Sequence, residues 1–270
     1  MNDHSSSRVR PGDFIDLGNG FWNARGSFKI GGVLEAGTQA SLVALPGGSF
    51  LWLDSITLTG EALERAMALT EGGARVEAIL NLHPFHTLHC EWASRNFPNA
   101  TLYGSRRHKE QRPDLDWAEE PVESDMVAAR YADTLAFSLP RGVDYISQNQ
   151  NVHFSSLLAF HRASGTIHSD DTLSYARFPF PISLIKEETP IFFHPTLGKA
   201  LEKRAGAAAD FRNWARELGR EWASARQLCA AHNGICEFRG GNVTAQIEQA
   251  LKRVESTLAR HEESHSHESP

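Results

Sequence analysis

The sequence predicts an α/β protein with its chemistry gathered at one sheet edge. Three observations lead there. Strand-like runs and a helix open the chain, more strands follow, and helices close it. The run Val76–Leu82 is almost wholly apolar, as expected of a central strand buried on both faces. Histidine or aspartate stands at or near the end of several separate strand-like runs: Asp54, His83, His153, Asp171 and His232. Residues at strand ends can converge along one edge of a sheet, where α/β proteins usually place their sites.

The elements justify this in order. Strand-like runs cover Phe14–Leu17, Phe28–Leu34, Ala40–Leu45 and Phe50–Leu53, with Pro46-Gly47-Gly48 as a hairpin turn between the last two. Gly60–Glu71 has helical spacing, with Leu63, Ala66, Met67 and Thr70 on one side, and Gly72-Gly73 ends it. After Val76–Leu82 the pattern predicts a helix over 86–96, a short strand at Ala100–Tyr103 and an exposed connection from Arg106 to Pro121. Asp133–Ser138, Val143–Ser147 and Val152–Phe160 read as strands, and Thr166–His168 leads as a short strand into Ser169-Asp170-Asp171. Phe178-Pro179-Phe180-Pro181 cannot be regular structure. Thr196–Leu228 reads as helical with a join near Gly206, and Leu228–Ala231 is short and apolar. A last amphipathic helix spans Asn242–Arg260, with Asn242 as its N-cap.

Composition bounds the function. The chain has 270 residues, of which 41% are hydrophobic and 22% charged, an ordinary balance for a folded soluble protein. We expect a disordered lead (1–12), one domain (13–260) and a disordered His-rich tail (261–270). A net charge of -6 gives no nucleic-acid footprint. No apolar run reaches the ~20 residues needed to span a membrane. The polar, Ser-rich start lacks the apolar core of a signal peptide. Cys90, Cys229 and Cys236 lack paired spacing and read as core thiols in a reducing, cytoplasmic setting. The expected partner is a small-molecule substrate, with no nucleic acid and no membrane.

The densest chemistry lies where the apolar strand ends. His83, His86 and His89 fall within seven residues at a strand-to-helix switch, with His86 and His89 on one face of the predicted helix. Such imidazoles form a candidate metal cluster; the alternative is polar punctuation in a turn. Asp170 rivals Asp171, and His168 and His194 compete as ligands. Asp54 is expected to orient a ligand histidine or to cap a turn. His108 and His161 read as surface residues. His261, His265 and His267 could bind metal adventitiously, as a tag does.

Taken together, these features resemble the metallo-β-lactamase superfamily over roughly residues 27–258. Leu51-Trp52-Leu53-Asp54 is similar to the family's early strand ending in aspartate. Ile79-Leu80-Asn81-Leu82-His83 is similar to the strand leading into its His-x-His-x-Asp-His motif. His153-Phe154-Ser155-Ser156-Leu157, Ser169-Asp170-Asp171-Thr172-Leu173 and Ala230-Ala231-His232-Asn233-Gly234 resemble its later motifs, in order. The first motif departs from the pattern. Without a gap, its next three functional positions become Phe85, Thr87 and Leu88. With one residue inserted, His83 and His89 take the outer places and His86 falls near the middle. Neither register supplies the motif's aspartate.

The resemblance implies a four-layer αββα sandwich and a metal-dependent hydrolase. One or two ions, zinc first and iron or manganese as alternatives, would be held by His83, His86 or His89, His153, Asp171 and His232. Hydroxide formed at the metal would attack an ester, thioester, lactone, amide or phosphoester. The alternative is a binding or scaffold protein that keeps the fold without the full metal site.

Overall fold

The computed structural model describes residues 9–30, 34–35, 37–175, 191–232, 234–238 and 242–266. β1 (Phe14–Asp16) pairs with β2 (Phe21–Gly26), β3 (Lys29–Ile30) with β4 (Leu34–Glu35), and β5 (Thr38–Ala44) returns antiparallel to β2. β6 (Phe50–Leu53), α1 (Gly60–Leu69), β7 (Val76–Leu80), α2 (Cys90–Asn96) and β8 (Thr101–Tyr103) then wind as parallel β-α-β units. The short helices α3 (Arg106–Gln111) and α4 (Asp125–Arg130) lead to β9 (Leu135–Ser138), β10 (Leu158–His161) and β11 (Thr166–Ser169). β12 (Leu173–Tyr175) and β13 (Ile191–Phe193) pair apart from the main sheets. α5 (Leu197–Ala200), α6 (Ala207–Glu221), β14 (Gln227–Ala230), β15 (Gly234–Glu237) and α7 (Val243–His265) complete the chain.

Among the described residues, one sheet runs β1-β2-β5-β6-β7-β8 and a second runs β15-β14-β11-β10-β9. Side chains alternate across each strand, so both faces of both sheets are filled. On β6, Trp52 packs with Ala62, Ala66, Ala93 and Phe97 of the helical layer, while Leu51 and Leu53 pack toward Ala159 and Cys229 of the other sheet. The second sheet repeats this: Leu158, Phe160, Ile167 and Leu228 meet Phe211, Trp214 and Leu218 of α6 and Ile247 and Leu251 of α7. The result is a four-layer αββα sandwich. Burial on both faces is why β6 reads as a solid apolar run and β7 as one broken only by the half-buried Glu77.

The structure departs from the sequence reading at several places. The expected helix over 86–96 begins only at Cys90, so His86 and His89 do not share a helical face. The strand expected over Val152–Phe160 begins at Leu158, because the preceding residues are held elsewhere: Phe154 packs on Phe211 of α6 and the Leu157 N–H donates to the Leu82 carbonyl (3.0 Å). Val143–Ser147 forms no strand, only one bridge from Val143 to Leu201. β2 was hidden by its polar interior, Asn23 and Arg25. Asn242 stands at the N-cap of α7, but its side chain makes no capping bond. That helix passes Arg260 and runs to His265, so His261 and His265 belong to it rather than to a disordered tail. Residues 1–8, the Phe178–Pro181 segment and His267 lie outside the described residues.

His108 and His161 are buried, not surface residues. His108 Nδ1 accepts from the Ser105 N–H (3.1 Å) and its ring lies against Trp117 (5.4 Å). His161 pairs with the Ser164 hydroxyl (2.8 Å). Burial pushes His108 down to about 3 and His161 down to about 4, from an ordinary 6.5. As pH falls below 6.5 the unfolded chain takes up these protons first, so stability is full above 6.5 and drains away toward pH 3. His108 alone is worth on the order of 5 kcal/mol across that window. His108→Asn, which keeps an acceptor for Ser105, should flatten the acid limb when urea unfolding is compared at pH 7 and pH 4.

Candidate metal centre

Four loops meet where parallel strands end. β6 and β7 run parallel in one sheet and β11 and β14 in the other, and the segments after their C-terminal ends carry the polar residues. Asp54 follows β6 and takes a left-handed backbone at φ 59°, which aspartate tolerates but few residues adopt freely. His83 and His86 follow β7, Asp170 and Asp171 follow β11, and His232 follows β14.

The side chains converge. His83 Nε2 lies 3.1 Å from Asp171 Oδ2, and His232 Nε2 lies 2.9 Å from Asp171 Oδ1. His86 Nδ1 lies 2.8 Å from Asp170 Oδ2, and the His83 and His86 rings stack at 4.0 Å. These approaches are short, yet the angles do not make hydrogen bonds for every atom. His83 Nε2, both oxygens of Asp170 and Asp171 Oδ1 are buried with no hydrogen-bond partner. Native structures rarely leave such atoms unsatisfied, and a cation is one of the few things that satisfies several at once. His83, His86 and Asp171 each offer one donor atom within 4.8 Å of the others, as do Asp54, His168 and Asp170.

Hydrogen bonding separates these two groups. Asp54 Oδ1 accepts the N–H of Leu82 (2.7 Å) and of His83 (3.3 Å), so the carboxylate is already spent on the backbone. His168 Nε2 meets Asp54 Oδ2 at 2.8 Å and its Nδ1 meets the Ser41 hydroxyl at 2.9 Å. Both ring nitrogens of His168 are therefore used, so Asp54 and His168 form a hydrogen-bonded relay and only Asp170 of that group keeps open donor atoms. In the first group, the Phe85 N–H donates to His83 Nδ1 (3.1 Å). A cation on Nε2 would send the ring proton to Nδ1 and cost that one bond. Imidazole and carboxylate donors otherwise suit a borderline divalent ion such as zinc.

The electrostatics call for positive charge. Gly37's carbonyl can only accept, so His232 Nδ1 donates to it (2.9 Å) and a neutral ring turns its Nε2 lone pair toward Asp171. That contact is repulsive unless a proton or a cation intervenes. Burial lowers the affinity of His86 for a proton, but Asp170, Asp171 and Asp54 outweigh it and raise the pKa to about 9. His232 is raised in the same way by Asp171 against burial. Burial opposes charge on Asp170 and Asp171, yet the surrounding histidines hold both below the usual carboxylate range. Asp54 goes the other way, raised by burial and by Asp170 despite His168.

Of the residues picked from the sequence, His83, His86, Asp171 and His232 come together. His153 stands beside them on a loop: its ring is 6.3 Å from His83 and stacks on Phe85 at 4.5 Å, while Nε2 bonds the Gln150 carbonyl (2.7 Å). His89 is not brought to the cluster; its Nδ1 bonds Thr57 Oγ1 (2.9 Å) near solvent. His194 bonds Thr196 (2.8 Å). Asp170 joins the cluster alongside Asp171, and only the doubled aspartate signalled it. The three cysteines are buried free thiols, each pushed by burial to about 12 and so inert.

No family model matches the chain, and no curated protein matches it. Solved structures do. A metallo-β-lactamase from Erythrobacter litoralis, with β-mercaptoethanol in its active site, superposes with a TM-score of 0.56 at 16% identity, covering 89% of this chain and 99% of that one. One from Hirschia baltica gives 0.55 at 12% identity over 88% and 98%. FIM-1 from Pseudomonas aeruginosa, in its mono-zinc form, gives 0.58 at 11% identity over 92% and 98%. At such identities the likeness speaks for architecture alone: the chain has the metallo-β-lactamase fold, with histidine and aspartate groups that could hold a metal ion.

Proposed function

We propose that the protein is a divalent-metal-dependent hydrolase of a small molecule carrying an ester, thioester, lactone, amide or phosphoester. The observation that carries this reading is the set of buried, unpartnered donor atoms on His83, Asp170 and Asp171. His83, His86 and Asp171 would hold the ion, zinc first, with His232 joined through Asp171 and His153 beside it. Such an ion, when bound, supplies Lewis acidity and brings the pKa of water to about 7. The chain's own residues define where substrate enters. The side chains of His86 and His232 are 26% and 28% exposed and form an open rim, whereas His83 and Asp171 are closed off behind them. Asp54 fixes the backbone of His83, so the innermost donor cannot drift. The free thiols fit a reducing, cytoplasmic setting.

A panel of chromogenic esters, thioesters, lactones, amides and phosphoesters tests the reading. Turnover of at least one should vanish with a chelator, return with zinc, and fall about 10–100-fold in His232→Ala. Turnover that ignores both chelator and His232→Ala would remove the proposal. The second reading, a non-catalytic binding protein, is supported by the missing motif aspartate and by the turn of His153 Nε2 to Gln150. It predicts metal binding without turnover on any class.

A further inference from the structure

Four polar side chains occupy one face of the β2–β5 pair, inside the molecule. Asn23 is opposite Ser41 and Arg25 opposite Gln39, and none is more than 4% exposed. Polar groups between two sheets are costly unless every atom is matched. Here they are matched to the very segments that carry the metal centre. Arg25 Nη1 and Nη2 donate to the carbonyls of Ala230 (3.0 Å) and Ala231 (2.6 Å), the two residues before His232. Gln39 Nε2 donates to the carbonyls of Ser169 (2.9 Å) and Cys229 (3.0 Å), and Ser169 leads directly into Asp170 and Asp171. Asn23 Nδ2 donates to Ser41 Oγ (3.1 Å), which leaves the Ser41 hydroxyl proton for His168 Nδ1 (2.9 Å). His168 then donates from Nε2 to Asp54, whose other oxygen takes the N–H of His83. The members also bind one another: Gln39 Oε1 accepts from Asn23 (3.0 Å) and from Arg25 (3.1 Å). Three routes leave one patch and end on three separate ligand-bearing loops.

We propose that Asn23, Arg25, Gln39 and Ser41 are a positioning module for the metal centre, setting the loops of His83, Asp170–Asp171 and His232 in one mutual arrangement. This rests on the metal reading above. Arg25 spends its guanidinium on carbonyl and amide oxygens rather than on a carboxylate, a task that needs its planar fork of donors. A lysine offers the charge but not the fork.

Cobalt(II) titration of the full chain, followed by visible absorption beside circular dichroism and urea unfolding, tests the module. The natural chain should bind Co2+ with a defined spectrum. Gln39→Leu and Arg25→Lys should fold, bind Co2+ about 10–100-fold more weakly and shift its absorption bands, as loss of groups that orient ligands does. Phe97→Leu, a core change in the opposite helical layer, should lower stability and leave the Co2+ spectrum as it was. Should Gln39→Leu fail to fold, Ser41→Ala, which removes a single hydroxyl, carries the test with the same expected shift. Folded variants with unchanged affinity and spectrum overturn the module alone. A natural chain that takes up no Co2+ overturns the metal reading, and the module with it.

Discussion

Asp171→Ala should cost the protein its metal, weakening binding beyond the 10–100-fold typical of losing an outer partner. Asp171 is the point through which two loops are joined, with one oxygen 3.1 Å from His83 Nε2 and the other 2.9 Å from His232 Nε2. Truncation removes a donor and leaves both imidazoles without the charge they face. Asp171→Asn separates these effects: it keeps the shape and removes the charge, so it should bind metal weakly while folding as the natural chain does. Calorimetric titration with zinc reads the affinities. Equal affinity in Asp171→Ala and the natural chain would place the ion elsewhere.

The largest expected effect on stability is at Trp52. It is fully buried in the middle of β6, flanked by Leu42 of β5 and Ile79 of β7, and its ring packs on Phe97 at 5.0 Å. Trp52→Ala should cost about 3–5 kcal/mol through lost contacts and the cavity left behind. At roughly 2–4 °C per kcal/mol for a chain of this size, Tm should fall by about 6–20 °C. Trp52→Phe should cost much less. The indole Nε1 is buried with no hydrogen-bond partner, so removing it relieves a penalty that offsets part of the lost volume. Thermal melts of the two variants give the comparison. A Trp52→Phe loss as large as that of Trp52→Ala would show that shape, not the orphaned N–H, governs the position.

The legible and illegible parts of the sequence divide along physical lines. β6 and β7 were readable because they face apolar layers on both sides, and burial alone writes a run such as Phe50–Leu53, while α1 was readable from the one stripe it turns to the sheet. β2 was unreadable for the opposite reason. Its inward positions Asn23 and Arg25 serve the loops of the other sheet, so its polarity follows from contacts some 200 residues away, such as Arg25 with Ala231 (separation 206). The same holds within the centre. His83 and His232 stood out beside apolar strands, but the relay from Asp54 to His168 spans 114 residues and exists only once the two sheets are stacked. His108 and His161 misled because a histidine in a charged or turn-like segment resembles a surface residue. Each ring is buried against an aromatic side chain, Trp117 or Phe21, and a serine three positions away satisfies one ring nitrogen. The histidine stretch that looks helical in sequence is held as a loop by the His86 N–H to His83 carbonyl bond (3.0 Å) and by Asp54 on the His83 backbone, which keeps His86 turned to Asp170 and lets His89 fall away.

The proposed metal site rests on the convergence of His83, His86 and Asp171. Metal content measured on the purified full chain, after gel filtration against a weak chelator and beside Asp171→Ala, tests it most directly. The natural chain should hold at least one equivalent of zinc, iron or manganese, and the variant should lose it. The chain and the variant retaining the same amount, or the natural chain retaining none and taking none up on incubation with zinc, would contradict it.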